Sequence, residues 1–239
     1  MSHDLRHLDA TTLADQAYAS LRTAIIVGDL KAGEKITDRG LADSLAVSPT
    51  PVREAIRRLE QDRLVERTGP RTVRVAVYSD SQRAEISQVA DALKAVAARL
   101  AARNITEDEI VELTEHLDTA DAQRAELYRQ IAEQGRTSEP VKEIASQLIA
   151  TLRKFHDLIN RASRNDILLH LLETVEAFGV SERQHVLHRQ IVHQTHKPSE
   201  RYGQDRQILE ALVDRDADLA EQLVLAHTRS ASLDLLTNS

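Results

Sequence analysis

Apolar side chains recur along this chain at two different periods, and the change between them marks its organisation. From Leu41 to Leu59 the spacing is helical. Leu41 and Leu45 stand one turn apart with Ala42 keeping that surface thin, and then Val52, Ala55, Ile56 and Leu59 share a face. Val47-Ser48-Pro49 between the two runs is a tight break. The pattern predicts two short helices crossed at that break, the second carrying Arg53, Arg57 and Arg58 on its other face. After Leu64 the period changes: Leu64 to Arg67 and Thr72 to Val75 alternate or run β-branched, and Thr68-Gly69-Pro70-Arg71 between them is turn chemistry. A hairpin bearing Arg67, Arg71 and Arg74 is expected there. Two crossed helices with a basic outer face and a hairpin beside them are what a winged helix-turn-helix uses to lie in a DNA major groove. The competing reading is an ordinary helical hairpin with a solvated face and a surface turn. The arginines favour DNA, because phosphate and base-edge contacts need cations that stay charged.

A short polar break, Tyr78-Ser79-Asp80-Ser81, closes this segment and predicts a boundary between domains 1–78 and 79–239. Everything beyond it reads helical. Ile86, Val89, Leu93, Val96 and Leu100 form one expected inward stripe. Thr106 to Glu109 is a capping box, from which Ile110, Leu113, Leu117, Leu127 and Ile131 continue. Pro140 opens the next helix, striped by Val141, Ile144, Leu148, Leu152, Phe155 and Ile159. Further helices are expected over 167–178, 183–196, 200–213 and 216–235. The fold class is therefore mostly α: a winged helix-turn-helix with its small hairpin, then an all-α bundle of about six or seven helices.

Composition narrows the setting. The chain of 239 residues has no cysteine, which excludes disulfides, thiolate zinc sites and cysteine nucleophiles. Met1-Ser2-His3-Asp4 does not read as a signal peptide, and no apolar run approaches the roughly 18 residues of a membrane span. A cytoplasmic protein without membrane contact is expected. The net charge of −7 is unevenly held, residues 1–78 carrying 12 Lys/Arg against 11 Asp/Glu and the remainder 19 against 27. A basic patch on an acidic body suits DNA binding, which needs only local positive charge.

The run Leu41-Ala42-Asp43, with Val47-Ser48-Pro49-Thr50-Pro51-Val52-Arg53-Glu54-Ala55-Ile56-Arg57-Arg58-Leu59-Glu60, strongly resembles the winged helix of the GntR family of bacterial transcription factors. Ile25 to Ile36 looks like that family's first helix and lead-in. The resemblance implies contact with a double-stranded DNA operator through Arg39, Ser48, Thr50, Arg53 and the wing around Gly69 and Arg71, with Arg57 and Arg58 toward phosphates. An arginine is common in the family where this chain has Pro49, so one guanine contact is missing and the operator is expected to differ.

The bundle resembles the FadR-type effector domain of the same family. The matching residues are Ala98 to Ala102, Phe155-His156, Ser163-Arg164-Asn165, Gln207 to Leu212 and Ala226-His227. The resemblance implies a homodimer and a small-molecule effector, and in its metal-binding branch an acid and three histidines holding a divalent metal beneath a carboxylate ligand. Two of those positions match here, His156 and His227. Leu152 stands where the branch has its acid, and Asp205 where it has a histidine. The place of the branch's ligand-gripping arginine corresponds to Ala90. Spacing points the same three groups inward: His156 lies one turn beyond Leu152, Asp205 heads the stripe of Ile208, Leu209 and Leu212, and His227 follows Leu223 and Val224. They could ligate zinc, nickel or manganese, or satisfy one another as a buried hydrogen-bonded pair.

Other chemistry fades on inspection. His185, His188, His193 and His196 do not all share a helix face, and Glu182 with His185 is half of a di-iron signature whose second Glu-x-x-His is missing. No phosphate-cradling glycine loop or nucleophile elbow is present. The expectation is a non-enzymatic, ligand-responsive transcriptional regulator, a repressor in the family's commonest mode, acting as a dimer on a palindromic operator. The alternative is a helical-bundle metalloenzyme or small-molecule binding protein with a vestigial DNA reader.

Overall fold

In the computed structural model of the chain, residues 11–176 and 198–237 are described. The chain divides into two compact units, Met1–Tyr78 and Ser79–Ser239. In the first, α1 (Leu13–Val27) starts at a capping box in which Thr12 Oγ1 accepts from the Asp15 amide and the Asp15 carboxylate accepts from the Thr12 amide. It ends at Gly28, whose φ of 87° a side chain would resist. Ala14, Ala17, Leu21 and Ile25 recur at helical spacing and bury one face against α3 (Pro49–Gln61). Between them α2 (Asp38–Ser44) is capped by Thr37 Oγ1, which accepts from the Gly40 amide at 3.1 Å. The α2–α3 turn is tight enough to hold Ala46 at a φ of 54°. Helix α3 buries Val52, Ala55, Ile56 and Leu59, the face that the periodicity predicts.

The expected hairpin is present as β2 (Val65–Gly69) and β3 (Thr72–Val75), with an irregularity between Arg67 and Gly69. The periodicity does not reveal a third strand, β1 (Lys35–Thr37), which pairs antiparallel with β3 and makes a sheet of order β1-β3-β2. Three residues are too few to show an alternation. Its anchor is Ile36, opposite Val73, and both are buried.

The second unit is helical among the described residues: α4 (Asp80–Asn104), α5 (Glu107–Gln134), α6 (Glu139–Ala162), α7 (Asp166–Glu176), α8 (Pro198–Val213) and α9 (Ala217–Thr237). Capping boxes at Ser79/Gln82 and Thr106/Glu109 open α4 and α5. The expected helix over 183–196, with its histidines, lies outside the described residues. The main core joins Ala98, Ala101, Ala102, Ile105, Leu113, Leu117, Phe155, Leu158, Ile159, Ile208, Leu212 and Val224. A second cluster, Ala120, Leu127, Val141, Ala145 and Leu148, seals α5 against α6, and Leu152 packs on both.

The stripe expected on α4 needs correction. The structure buries Ala90, Ala95, Ala97, Ala98, Ala101 and Ala102, and leaves Val89 and Val96 51% and 40% exposed. Helix α4 packs against α6, α7, α8 and α9, and such crowding needs small side chains where helices cross. The motif Ser163-Arg164-Asn165 acquires a structural account. The Ser163 carbonyl accepts from Asn104, Arg164 at a φ of 55° reaches Glu109 at 2.7 Å, and Asn165 Oδ1 accepts from the Leu168 amide at the start of α7.

Candidate nucleic-acid interface and metal centre

Ser48 is the N-cap of helix α3, and its side chain makes no capping bond. Ser48, Thr50, Arg53 and Arg57 are all exposed, on the helix's first and middle turns. Arg39 on α2 and Arg71 in the hairpin turn are exposed as well, and Gly69 sits at the irregular end of β2. Among the described residues, Arg39, Arg57 and Arg71 enter no ion pair. Arg53 Nε donates to Asp38 Oδ2 at 3.2 Å. Asp38 is 4% exposed, its amide donates to the Arg71 carbonyl, and its Oδ1 is buried without a hydrogen-bond partner. Asp38 thus ties the start of α2 to Arg53 through its carboxylate and to the hairpin turn through its backbone amide. Sequence periodicity gives no signal for this, because Asp38 reads as an ordinary first-turn acid.

Arg58 stands apart from Arg53 and Arg57. Its guanidinium lies 4.1 Å over the Tyr18 ring and donates to Asp15 Oδ1 at 2.6 Å, which ties α3 to α1. Tyr18 in turn donates to Asp62, and burial, then Asp62, pushes its hydroxyl up to about 12. Arg67 is engaged by Glu60 at 2.8 Å. Asp15 is held at about 2 rather than its usual 3.8, first by the Thr12 hydroxyl, then by the Thr12 amide, and then by Arg58. A depressed carboxyl stabilises the fold fully above its unfolded value and loses that contribution as pH falls toward the folded one. Arg58→Ala should remove a cation–π contact of about 0.5–1 kcal/mol and keep most of the loss of stability below about pH 4. Urea titrations at pH 7 and pH 3 check this, and an unchanged midpoint at pH 7 would show Arg58 to be idle in the fold.

In the second unit, three donors converge from three helices: His156 on α6, Asp205 on α8 and His227 on α9, their ligand atoms all within 4.8 Å of one another. Asp205 and His227 are buried at 2% and 6% exposure, and His156 is half-buried. Asp205 Oδ1 lies 3.5 Å from His156 Nε2 and 3.6 Å from His227 Nε2. Both separations exceed the usual N–H···O range of about 2.7–3.2 Å. They approach the spacing of about 3.3 Å between neighbouring ligands on a tetrahedral zinc. Gln204 Oε1 stands 3.2 Å from His227 Nδ1. With its proton on Nδ1, His227 donates there and turns the Nε2 lone pair toward Asp205, as metal-ligating histidines do. This is a donor set able to hold a divalent cation. The carboxylate comes from α8, while Leu152 on α6, where the resemblance places an acid, is absorbed into the apolar packing. Ala90 is fully buried.

A winged helix with an exposed basic recognition helix, joined to a helical unit with an inward His/Asp/His set, defines a DNA-binding regulator with a small-molecule domain. Comparison with known proteins agrees. The family of bacterial regulatory proteins named for gntR matches residues 13–75, and the FCD domain matches residues 85–230. The chain belongs to the GntR family of transcriptional regulators with a C-terminal FCD domain. It is 27% identical over 214 residues to the uncharacterized HTH-type transcriptional regulator YdhC of Bacillus subtilis (strain 168), covering 89% of this chain and 86% of that protein. It is 29% identical over 170 residues to a probable D-xylose utilization operon transcriptional repressor of Paenarthrobacter nicotinovorans, covering 69% and 65%. In fold it is similar to the Escherichia coli McbR/YncC structure, with a TM-score of 0.69 at 23% identity over 95% of this chain and 99% of that one. The family is one of regulators and not of enzymes, which sets the metalloenzyme alternative aside. No helix among the described residues is long and apolar enough to cross a membrane.

Proposed function

We propose that this protein is a dimeric, effector-responsive repressor acting in the cytoplasm on a two-fold symmetric operator. The carrying observation is the solvent-facing row Ser48, Thr50, Arg53 and Arg57 on α3, flanked by exposed Arg39 and Arg71. Short hydroxyl side chains at the start of a recognition helix allow close approach to the backbone, and arginines beyond them reach phosphates and guanine edges. Gly69 lets the hairpin tip come close to the duplex. Repression is supported by the name of the Paenarthrobacter nicotinovorans relative. Anisotropy titrations against the DNA upstream of its own gene test the reading. Affinity should fall linearly with salt on a log–log scale, with a slope of about −0.9 per phosphate neutralised. Binding no tighter than to random duplex would sink it.

Arg53, oriented by Asp38, is assigned to a base edge, and Arg57 to phosphate. Arg53→Ala should cost about 1–3 kcal/mol and relax selectivity at one operator position. Arg57→Ala should weaken all sequences evenly and make the salt slope shallower. A uniform loss from Arg53→Ala would reverse its assignment.

The effector centre is His156, Asp205 and His227, holding zinc, nickel or manganese. Two imidazoles and a carboxylate suit these cations, and their ligand atoms converge within 4.8 Å of one another. A bound cation supplies Lewis-acid positions for an effector's oxygen atoms. The three side chains would join α6, α8 and α9 through one point, so an effector binding two arrangements of these helices unequally would alter the spacing of the paired winged helices.

A further inference from the structure

The first turn of α3 carries a chemistry that phosphate contacts do not use. Pro49 and Pro51 stand at its first and third positions, where neither offers an amide N–H, and no acid lies in that turn. A helix start grips a phosphate through such amides, so this one is poorly equipped for that task. Pro49 is nevertheless exposed, whereas Pro51 is half-buried. An exposed apolar ring at the tip of a recognition helix has one kind of partner among the base edges of the major groove. The other groups there are hydrogen-bond donors and acceptors, and the C5-methyl group of thymine is the apolar one. Proline suits a close contact with it, since its ring loses no side-chain freedom on being covered.

We infer that Pro49 selects a thymine, its ring packing on the C5-methyl group of a thymine close to the base read by Arg53, once in each half-site. Arg53 sets the register of this contact. The two residues are four apart, so they lie on one side of the helix, one turn above the other. Arg53 is held by Asp38 Oδ2 at 3.2 Å through Nε while its side chain stays 57% exposed. Asp38 Oδ1, buried without a hydrogen-bond partner, can accept a second N–H from the same guanidinium, which confines the fork to one place. The rise from residue 49 to 53 is about 6 Å of helix, against about 3.4 Å per base pair. A recognition helix lying along the groove therefore sets Pro49 against a base pair about one or two steps from the one that Arg53 reads. The inference rests on the DNA-reading function proposed above and adds a residue that fixes sequence without a hydrogen bond.

The test uses the full chain and the duplex upstream of its own gene, with each thymine in turn replaced by deoxyuridine, which deletes only the methyl group. In anisotropy titrations one thymine per half-site should respond, affinity falling about fourfold, the effect of one methyl group withdrawn from apolar contact. Pro49→Ser should bind the thymine and deoxyuridine duplexes alike at that position, with unchanged circular dichroism because Pro49 is exposed. Pro49→Arg should turn the preference there from thymine to guanine, since arginine donates to guanine O6 and N7. If wild type binds its operator selectively and no substituted thymine changes the affinity, the role of Pro49 is overturned and the DNA reader stands. A response that persists in Pro49→Ser gives the methyl contact to another residue and overturns it as well. A wild type that prefers its operator no more than random duplex overturns both.

Discussion

Removing divalent cations from the full chain should lower its melting temperature by several degrees, and His227→Ala should abolish that response. An ion that binds only the folded state stabilises it by about 2.7 kcal/mol at 100 times its dissociation constant. A domain of 150–250 residues shifts by roughly 2–4 °C per kcal/mol. The ion would draw together α6, α8 and α9, whose apolar faces already share one core through Phe155, Ile208 and Val224, so the gain should appear in the cooperative transition. The rival account makes a different forecast. If Asp205 only accepts from the two imidazoles, chelator does nothing, and His227→Ala still destabilises by about 1–3 kcal/mol through the buried carboxylate it leaves behind. Elemental analysis of protein purified without an affinity tag decides: a stoichiometric transition metal supports ligation, and none after reconstitution rejects it.

How far the sequence reveals such a centre depends on how local the signal is. The inward direction of His156 and Asp205 follows from neighbours within one or two turns, since Phe155, Ile159, Ile208 and Leu212 fix each helix's buried side. The face of α3 is legible for the same reason. The exchange of partners between helices is not. Asp205 is placed beside His156 by the family resemblance and not by any local pattern near Leu152, and nothing near Arg58 indicates Asp15, 43 residues earlier. Helix α4 misleads because hydrophobicity and burial part company there. Where several helices crowd, alanine is the residue that fits, and the larger Val89 and Val96 are left outside. Strand β1 escapes by length alone, and its place comes from a ladder to β3 some 37 residues away in the chain.

A fragment ending at Tyr78 should bind operator DNA about 100- to 10,000-fold more weakly than the full chain, the range that joining two binding modules confers. One recognition helix the length of α3 presents only a few side chains to base edges, whereas two of them held in two-fold register read both halves of a palindrome. The second module then binds at an effective concentration set by the dimer and not by the bulk solution. The fragment carries its own core, from Leu21 and Ile25 through Val52, Ile56 and Leu59 to Val65 and Val73, so misfolding need not explain a loss. Circular dichroism settles that point before the titration. The fragment should also show about half the salt slope of the full chain, since it neutralises half the phosphates. Equal affinity and equal slope for fragment and full chain would mean that one winged helix suffices, and the dimeric reading of the operator would fall.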